Sequence, residues 1–171
     1  GARAARMAAE LAAAGVGRGD RDGILLDDEA GVEAHVTYHA SHLLGAINVQ
    51  LNTRYVAREL EYVLGFIAPA AVVFDPKFAE LLGAVRAASG GAALLEVAAR
   101  PILGRSLPEL LAGAEPLAAA APLGGEDDAD WLFTSGTTGK PKAVALTHRG
   151  SVACGYQSIG AWDLSPNAVY Q

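Results

Sequence analysis

Residues 129–150 read ADWLFTSGTTGKPKAVALTHRG, and this segment decides how the chain is interpreted. Two short apolar runs, WLF at 131–133 and AVAL at 143–146, predict strands on either side of a loop. The loop between them is made of small hydroxyl residues, glycines, lysines and one proline. We therefore expect a hairpin at this position.

The spacing of the glycines excludes a Walker-type phosphate loop. That motif needs a longer spacer between its first glycine and its Gly-Lys pair, then Ser or Thr, and then a helix. Here only Thr137 and Thr138 separate Gly136 from Gly139, and Pro141 follows Lys140. Because a strand is expected after the loop, a helix dipole is not expected to hold an anion at this position.

The loop nevertheless has the chemistry of a phosphate site. Glycines allow positive φ and close backbone approach, so that successive amides can form an anion-binding nest. Ser135 and its neighbouring threonines add hydroxyl donors. Two of the three lysines in the chain, Lys140 and Lys142, add positive charge. A solvated turn is the alternative, because clusters of this composition are common in loops.

Composition places the chain among globular proteins. With 171 residues, 51% hydrophobic and 19% charged, it can form one domain with a substantial core. Apolar runs stay shorter than the roughly 18 residues that a membrane span requires. The net charge of −6 argues against a nucleic-acid surface. The single cysteine, Cys154, predicts a cytoplasmic location and is expected to be buried on a helix.

Helical and strand patterns alternate ahead of the loop, which predicts an α/β fold with a mostly parallel sheet and flanking helices. Helices are expected over 2–14, 29–46, 56–67 and 76–88, and strands over 22–26, 47–51, 70–75 and 92–98. Gly45 and Pro69 are expected to end helices. The buried face of the third helix is expected to be formed by Val56, Leu60, Val63 and Ile67. Residues 100–130 contain four of the eight prolines and predict a surface connection with one short helix at 107–111.

The segment TSGTTGKPK at 134–142 resembles the AMP-binding signature of the adenylate-forming superfamily, which includes acyl-CoA synthetases, luciferases and peptide-synthetase adenylation domains. AVALTHRG is similar to that family's continuation, in which a strand leads to a turn and a helix, with Ala143 where many members carry glycine. Thr147 is well placed as the N-cap of that helix. The resemblance extends over GVGRGDRDGILLDDE at 15–29, with Asp22 where an apolar residue is usual, and over residues 45–75.

This resemblance implies that the chain is the N-terminal portion of the large domain of such an enzyme, and we expect both of its ends to be cut. Three sections are expected: an α/β unit at 1–99, a connecting segment at 100–130, and the phosphate-binding hairpin with its helix at 131–171. Because a truncated sheet exposes apolar surface, self-association is also expected.

The resemblance also implies a reaction. Family members join a carboxylic acid to ATP, which gives an acyl-adenylate and pyrophosphate, and most then pass the acyl group to a thiol, often coenzyme A. Lys142 is the implied catalytic residue, since it would stabilise the pyrophosphate leaving group. The implied phosphate-binding residues are Thr134, Ser135, Gly136, Thr137, Thr138, Gly139, Lys140 and Lys142.

The family's usual ligand for Mg²⁺ lies beyond Gln171, so no metal ligand is expected within this chain. The later family motifs are absent as well, and the isolated chain is therefore expected to be inactive. The alternatives are a non-catalytic nucleotide-binding module, a degenerate fragment, or an interaction domain with a vestigial loop.

Other polar residues favour structural roles. His35, His39 and His42 form one stripe on the second helix, which could hold a metal ion but is more typical of boundary residues beside an apolar face of Val32, Val36 and Leu43. His148 is expected to be a structural residue at a helix start. The side chain of Asn52 is expected to hydrogen-bond a turn. Solvated acidic loop positions are expected for Asp127, Asp128 and Asp130.

Overall fold

The fold is a seven-stranded sheet in the order β5-β4-β3-β1-β2-β6-β7, with helices on both faces. The structure is a computed structural model that describes residues 1–27, 31–134 and 141–161. Neighbouring strands pair in parallel except β6 and β7, which are antiparallel. The predicted α/β class with a mostly parallel sheet is confirmed.

The bounds of the elements follow the predicted alternation. The strands are β1 Arg21–Leu25, β2 Ile47–Gln50, β3 Ala71–Phe74, β4 Ala93–Glu96, β5 Arg105–Ser106, β6 Asp128–Thr134 and β7 Lys142–Thr147. The helices are α1 Ala2–Ala13, α2 Val32–Leu44, α3 Ala57–Ile67, α4 Ala79–Ala84, α5 Leu107–Gly113 and α6 His148–Ala161. No described helix is long and apolar enough to cross a membrane.

Alternating side chains of the central strands divide the core into two layers. In β3, Val72 and Phe74 face the layer that contains α3 and α4, whereas Ala71 and Val73 face the layer that contains α1, α2 and α5. This is the period-two pattern of strands that are buried on both faces.

Gly45 ends α2 as predicted, for two physical reasons. Its φ of 68° lies in the left-handed region, which glycine adopts without steric cost. A Cβ at this position would also meet Leu123 Cδ2 at 2.7 Å. The glycine therefore closes the helix and lets residues 121–123 pass directly over its end.

Two predicted helix faces are wrong in part. Val56 lies outside α3 and is exposed, and Leu64 takes its place in the buried face beside Leu60. In α2 the buried positions are Thr37, Ala40, Ser41 and Leu44. Of the predicted apolar face, Val36 and Leu43 are partly buried against the core, whereas Val32 is exposed. Small and polar residues face inward in α2 because polar side chains of the sheet lie beneath it.

Residues 76–88 do not form the single helix that was predicted. A 3₁₀ turn at Pro76–Phe78 leads into the short α4, and a second 3₁₀ turn follows at Arg86–Ser89. The amide of Val85 bonds to the carbonyl of Leu82, three residues back, so the ladder tightens at the end of α4.

A buried glutamate organises the chain after β4, which the sequence did not indicate. One carboxylate oxygen of Glu96 accepts hydrogen bonds from the amides of Ile102, Leu103 and Gly104 at 2.8, 2.9 and 3.2 Å. These bonds fold residues 97–104 back against the sheet. The short strand β5 can then pair with β4, and α5 follows close to its predicted position.

Candidate functional site

The glycine-rich loop connects β6 to β7 at the carboxyl edge of the parallel strands. Thr134 and Lys142 are paired across the hairpin, and both are exposed. Ligands of open α/β sheets bind outside this edge, where loops bring free backbone groups together. Thr134 and Lys142 therefore mark the mouth of the candidate site. The other predicted phosphate-binding residues, Ser135 to Lys140, lie outside the described residues.

The outer part of the hairpin extends beyond the rest of the sheet. Strand β2 pairs with β6 only through Asn48–Asp130 and Val49–Trp131. Further along the described part of β6, ladder pairing is with β7 alone. We call residues 132–134 and 142–144 the hairpin tip. Its position depends on how residues 130 and 131 are held.

Aromatic side chains hold one face of the hairpin. The ring centroids of Trp131 and Phe133 lie 6.3 and 5.9 Å from that of Phe66 on α3. Both residues are partly buried against the core layer of α3. Offset and edge-on aromatic pairs of this kind add stability beyond the apolar area that they bury.

A buried carboxylate holds the opposite face. Asp130 is only 5% exposed, and Tyr38 Oη donates to its Oδ2 at 3.3 Å. His42 Nε2 lies 3.2 Å from Asp130 Oδ1 and 3.2 Å from the carbonyl of Ala129. Since both of these partners are acceptors, this ring nitrogen must carry the hydrogen. Ser151 Oγ on α6 completes the group at 3.5 Å from Asp130 Oδ2.

The prediction of a solvated acidic loop at 127–130 is therefore wrong for two of its three aspartates. Asp128 and Asp130 belong to β6, and Asp128 accepts a hydrogen bond from Trp131 Nε1 at 2.9 Å. Asp127 does lie in a turn, where it pairs with Arg18 at 2.8 Å and accepts from the amide of Gly124. Aspartate at 130 becomes buried because α2 presents polar side chains at that position of the sheet.

The start of α6 is fixed to the segment that precedes β6. The hydroxyl of Thr147 accepts from the amide of Gly150 at 3.2 Å, which confirms the predicted N-cap. The amides of His148 and Arg149 donate to the carbonyls of Asp127 and Gly125. These bonds satisfy the amides of the first turn.

His148 lies beside His42, which contacts Asp130, and this position agrees with the predicted structural role. Its ring centroid is 5.1 Å from that of His42. Partial burial and the neighbouring His42 lower the pKa of His148, although Asp130 and Asp127 oppose this effect. The imidazole is therefore held mainly neutral near pH 7. Its Nε2 is buried and has no hydrogen-bond partner in the described part of the chain.

A second buried aspartate lies on the same side of the sheet. Asp22 is fully buried, and its Oδ2 is 2.6 Å from Ser41 Oγ, which also donates to the carbonyl of Thr37. Burial raises the pKa of Asp22 to about 7. Asp22, Asn48 and Asp130 stand side by side on β1, β2 and β6 in the strand register. In the sequence, this row of buried polar residues was indicated only by Asp22, which stands where the family usually has an apolar residue.

The other candidates have simpler surroundings. His35 bonds the carbonyl of Gly31 at 3.1 Å, and His39 is exposed. Within 1–27, 31–134 and 141–161, no group of three His, Cys, Asp or Glu residues could hold a metal ion. The side chain of Asn52 accepts from the amide of Arg54 at 2.9 Å, as expected. Cys154 is exposed, so its predicted burial is wrong: it lies on a face of α6 that no described element covers.

Comparison with known proteins identifies the family. The model of the AMP-binding enzyme family matches residues 1–170. The chain belongs to the AMP-binding enzyme family. Its N-terminal position within that family agrees with a match to the N-terminal-domain structure of FACL13 from Mycobacterium tuberculosis, which covers 99% of this chain and 40% of that one, at 31% identity and a TM-score of 0.79.

Two curated relatives are CoA ligases named for different acids. The chain is 34% identical to a 3-hydroxybenzoate–CoA ligase of Aromatoleum sp. (strain CIB) across 81% of its own length and 26% of that protein. It is 33% identical to the long-chain-fatty-acid–CoA ligase FadD13 of Mycobacterium tuberculosis (strain H37Rv) across 86% of its own length and 28% of that protein. The chain thus spans 26 to 28% of the length of these relatives.

The ATP-bound structure of MatB from Rhodopseudomonas palustris has the same fold. It aligns with 96% of this chain and 32% of its own length, at 32% identity and a TM-score of 0.82.

Proposed function

We propose that this chain is the N-terminal part of an AMP-forming ligase that activates a carboxylic acid with ATP and then forms an acyl-CoA thioester. The observation that carries the proposal is the exposed pair Thr134 and Lys142 at the mouth of a glycine-rich loop on the carboxyl edge of the sheet. Two curated relatives that act as CoA ligases and an ATP-bound neighbour support it.

In the proposed first step, a carboxylate oxygen of the acid attacks the α-phosphorus of ATP. The bond from that phosphorus to the bridging oxygen breaks, and pyrophosphate leaves with the electron pair. In the second step the thiol of coenzyme A loses its proton to solvent and its sulfur attacks the acyl carbon. The bond from that carbon to the phosphate oxygen of AMP breaks, and AMP leaves with the electron pair. Catalysis of the first step rests on positioning and on stabilising the charge that develops on the leaving group.

The proposed roles within the loop follow from donor type. The amides and hydroxyls of the loop surround the β- and γ-phosphates, Lys142 stabilises the departing pyrophosphate, and Lys140 assists it. The loop residues in the binding role are Thr134, Ser135, Gly136, Thr137, Thr138, Gly139, Lys140 and Lys142. Mg²⁺ would neutralise phosphate charge, and the proposal assigns no residue of this chain to it.

The proposal can be tested by ATP titration of wild type, Lys142→Ala and Thr138→Ala. We expect both variants to bind ATP at least tenfold more weakly, since each removes a donor to a charged phosphate, worth about 1.5–3 kcal/mol. Lys77→Ala is the matched control, because Lys77 is the only other lysine in the sequence and its side chain pairs with Asp27. Unchanged ATP affinity in both loop variants would show that the loop is not the site.

A non-catalytic nucleotide-binding module is the second candidate function. In this candidate the loop binds the phosphates of a nucleotide and no acyl transfer follows. We propose that the 171-residue chain alone is inactive. Acid-dependent release of pyrophosphate from ATP by this chain would overturn that proposal, and the intact mass of the native protein separates the two candidates.

Three further proposals concern organisation and surroundings. We retain the division into an α/β unit at 1–99, a connecting segment at 100–130 and the hairpin with its helix at 131–171, and we propose a cytoplasmic location. Exposed apolar side chains on β6, β7 and α6 favour self-association of the isolated chain, which a monomeric sedimentation profile would contradict. These side chains are Leu132, Val144, Leu146, Val152, Tyr156 and Ile159.

A further inference from the structure

The hairpin tip needs an anchor because the ladder from β2 ends before the loop. The last pair that joins β6 to β2 is Val49–Trp131. At about 3.3 Å per residue, the Cα of Thr134 lies roughly 13 Å from that of Asp130 along the strand. A tilt of roughly 5° about residue 130 would therefore move the mouth of the site by about 1 Å, and misplacement of this size can reduce catalysis by about 100-fold.

Asp130 has the geometry of such an anchor. In the strand register it lies opposite Leu146, with Leu132–Val144 and Thr134–Lys142 as the next pairs on the same face. The carboxylate thus belongs to the face of the hairpin that carries Thr134 and Lys142. Its partners come from two helices: Tyr38 and His42 from α2, and Ser151 from α6.

We propose that Asp130 is a positioning residue for ATP binding, because its buried carboxylate ties β6 to α2 and α6 and so fixes where Thr134 and Lys142 emerge. This inference rests on the proposed function of the loop. In this role Asp130 acts through the hairpin and not by contact with ATP.

The charged and titratable groups around Asp130 are suited to this role. Burial and the carboxylate raise the pKa of Tyr38 to about 12, so its hydroxyl remains a donor. His42 presents Nε2–H to the carboxylate. Burial and His42 lower the pKa of His148 by more than Asp130 and Asp127 raise it, so this neighbour of His42 stays mainly neutral. The carboxylate is thus surrounded by donors from α2 and α6, and a neutral amide at position 130 would present only one acceptor oxygen to them.

The experiment measures the dissociation constant of ATP with Mg²⁺ by calorimetry, on the protein as its source organism produces it. The variants are Asp130→Asn, Lys142→Ala and the double variant. Asp22→Asn is the matched control, because Asp22 is also a buried aspartate beneath α2, two strands away in the same register. Tyr38→Phe removes one hydrogen bond to Asp130 and serves if Asp130→Asn does not fold.

We expect Asp130→Asn to weaken ATP binding on the order of tenfold and Tyr38→Phe about threefold, while Asp22→Asn stays within about twofold of wild type. In the Lys142→Ala background the effect of Asp130→Asn should shrink to less than about threefold, since residues that act through one another are not additive. A residue that only stabilises the fold would show no such coupling.

The outcomes separate the two ideas. If Lys142→Ala weakens binding but Asp130→Asn and Tyr38→Phe match the Asp22→Asn control, the positioning role is overturned and the proposed function stands. If the effects of Asp130→Asn and Lys142→Ala are fully additive, the positioning role is also overturned. If wild type does not bind ATP, or Lys142→Ala binds as wild type does, both the proposed function and the positioning role fail.

Discussion

Asp22 should make the stability of this protein depend on pH in a direction opposite to that of most aspartates. Its pKa is raised from 3.8 to about 7 because the side chain is fully buried, and the hydrogen bond from Ser41 only partly offsets this. Below about pH 4 both the folded and the unfolded chain carry the proton, so the group makes no difference. Between pH 4 and 7 the unfolded chain loses its proton while the folded chain keeps it, and the free energy of unfolding therefore falls as pH rises.

The magnitude follows from the same two pKa values. The difference of about three pH units, at about 1.36 kcal/mol each, gives a ceiling of about 4 kcal/mol that is lost by pH 7. Relaxation around the ionised group reduces such a cost, so we expect a loss of about 2–4 kcal/mol. The neutral acid also suits the local bonds. A protonated Asp22 can donate to Ser41 Oγ, which leaves the single hydroxyl hydrogen of Ser41 for the carbonyl of Thr37.

Asp22→Asn removes the titration and should abolish this slope. The assay is urea denaturation of wild type and variant by circular dichroism, at half-unit steps from pH 4 to 8. Relative to its value at pH 4, the variant should gain about 2–4 kcal/mol over wild type by pH 8. Glu61→Gln, at an exposed position on α3, controls for loss of an acid. If the difference in unfolding free energy between wild type and Asp22→Asn changes by less than about 0.5 kcal/mol from pH 4 to pH 8, the reasoning is refuted.

Three further predictions concern single side chains. Gly45→Ala should destabilise the protein by about 1–3 kcal/mol in urea unfolding, because of the positive φ and the contact with Leu123. Gly65→Ala, on an open helix surface, should stabilise it by about 0.5–1 kcal/mol in the same assay. Glu96→Ala should cost about 1–3 kcal/mol in urea unfolding, since three amides lose their acceptor; a loss below 0.5 kcal/mol would contradict this. NMR titration should give His148 a pKa below the ordinary histidine value, and a lower one still in Asp130→Asn; an unchanged or higher value in the variant would count against the contact.

Features that depend on a few neighbouring residues were predictable. The alternation of helices and strands, the end of α2 at Gly45 and the N-cap at Thr147 follow from periodicity and from turn chemistry. The hairpin around the glycine-rich loop was also predicted, and β6 and β7 confirm it. The roles of the loop residues remain predictions.

Features that depend on distant residues were not predictable. From the sequence, Asp130 was predicted to belong to a solvated acidic loop. In the structure its carboxylate contacts Tyr38 and His42, which are far away in the sequence. Glu96 gave no signal because the amides that it binds acquire their positions only when the chain turns back. Cys154 was expected to be buried from its residue type alone, and the structure leaves it exposed.

The sequence by itself determined the class of fold and the family, because periodicity, turn residues and the composition of residues 134–142 are local properties of the chain. Only the tertiary structure decided the strand order, with β3 beside β1 and β6 beside β2, and the burial of the carboxylates of Asp22, Glu96 and Asp130. The reason is physical: burial and the pKa of a carboxyl group depend on which distant groups exclude water from it.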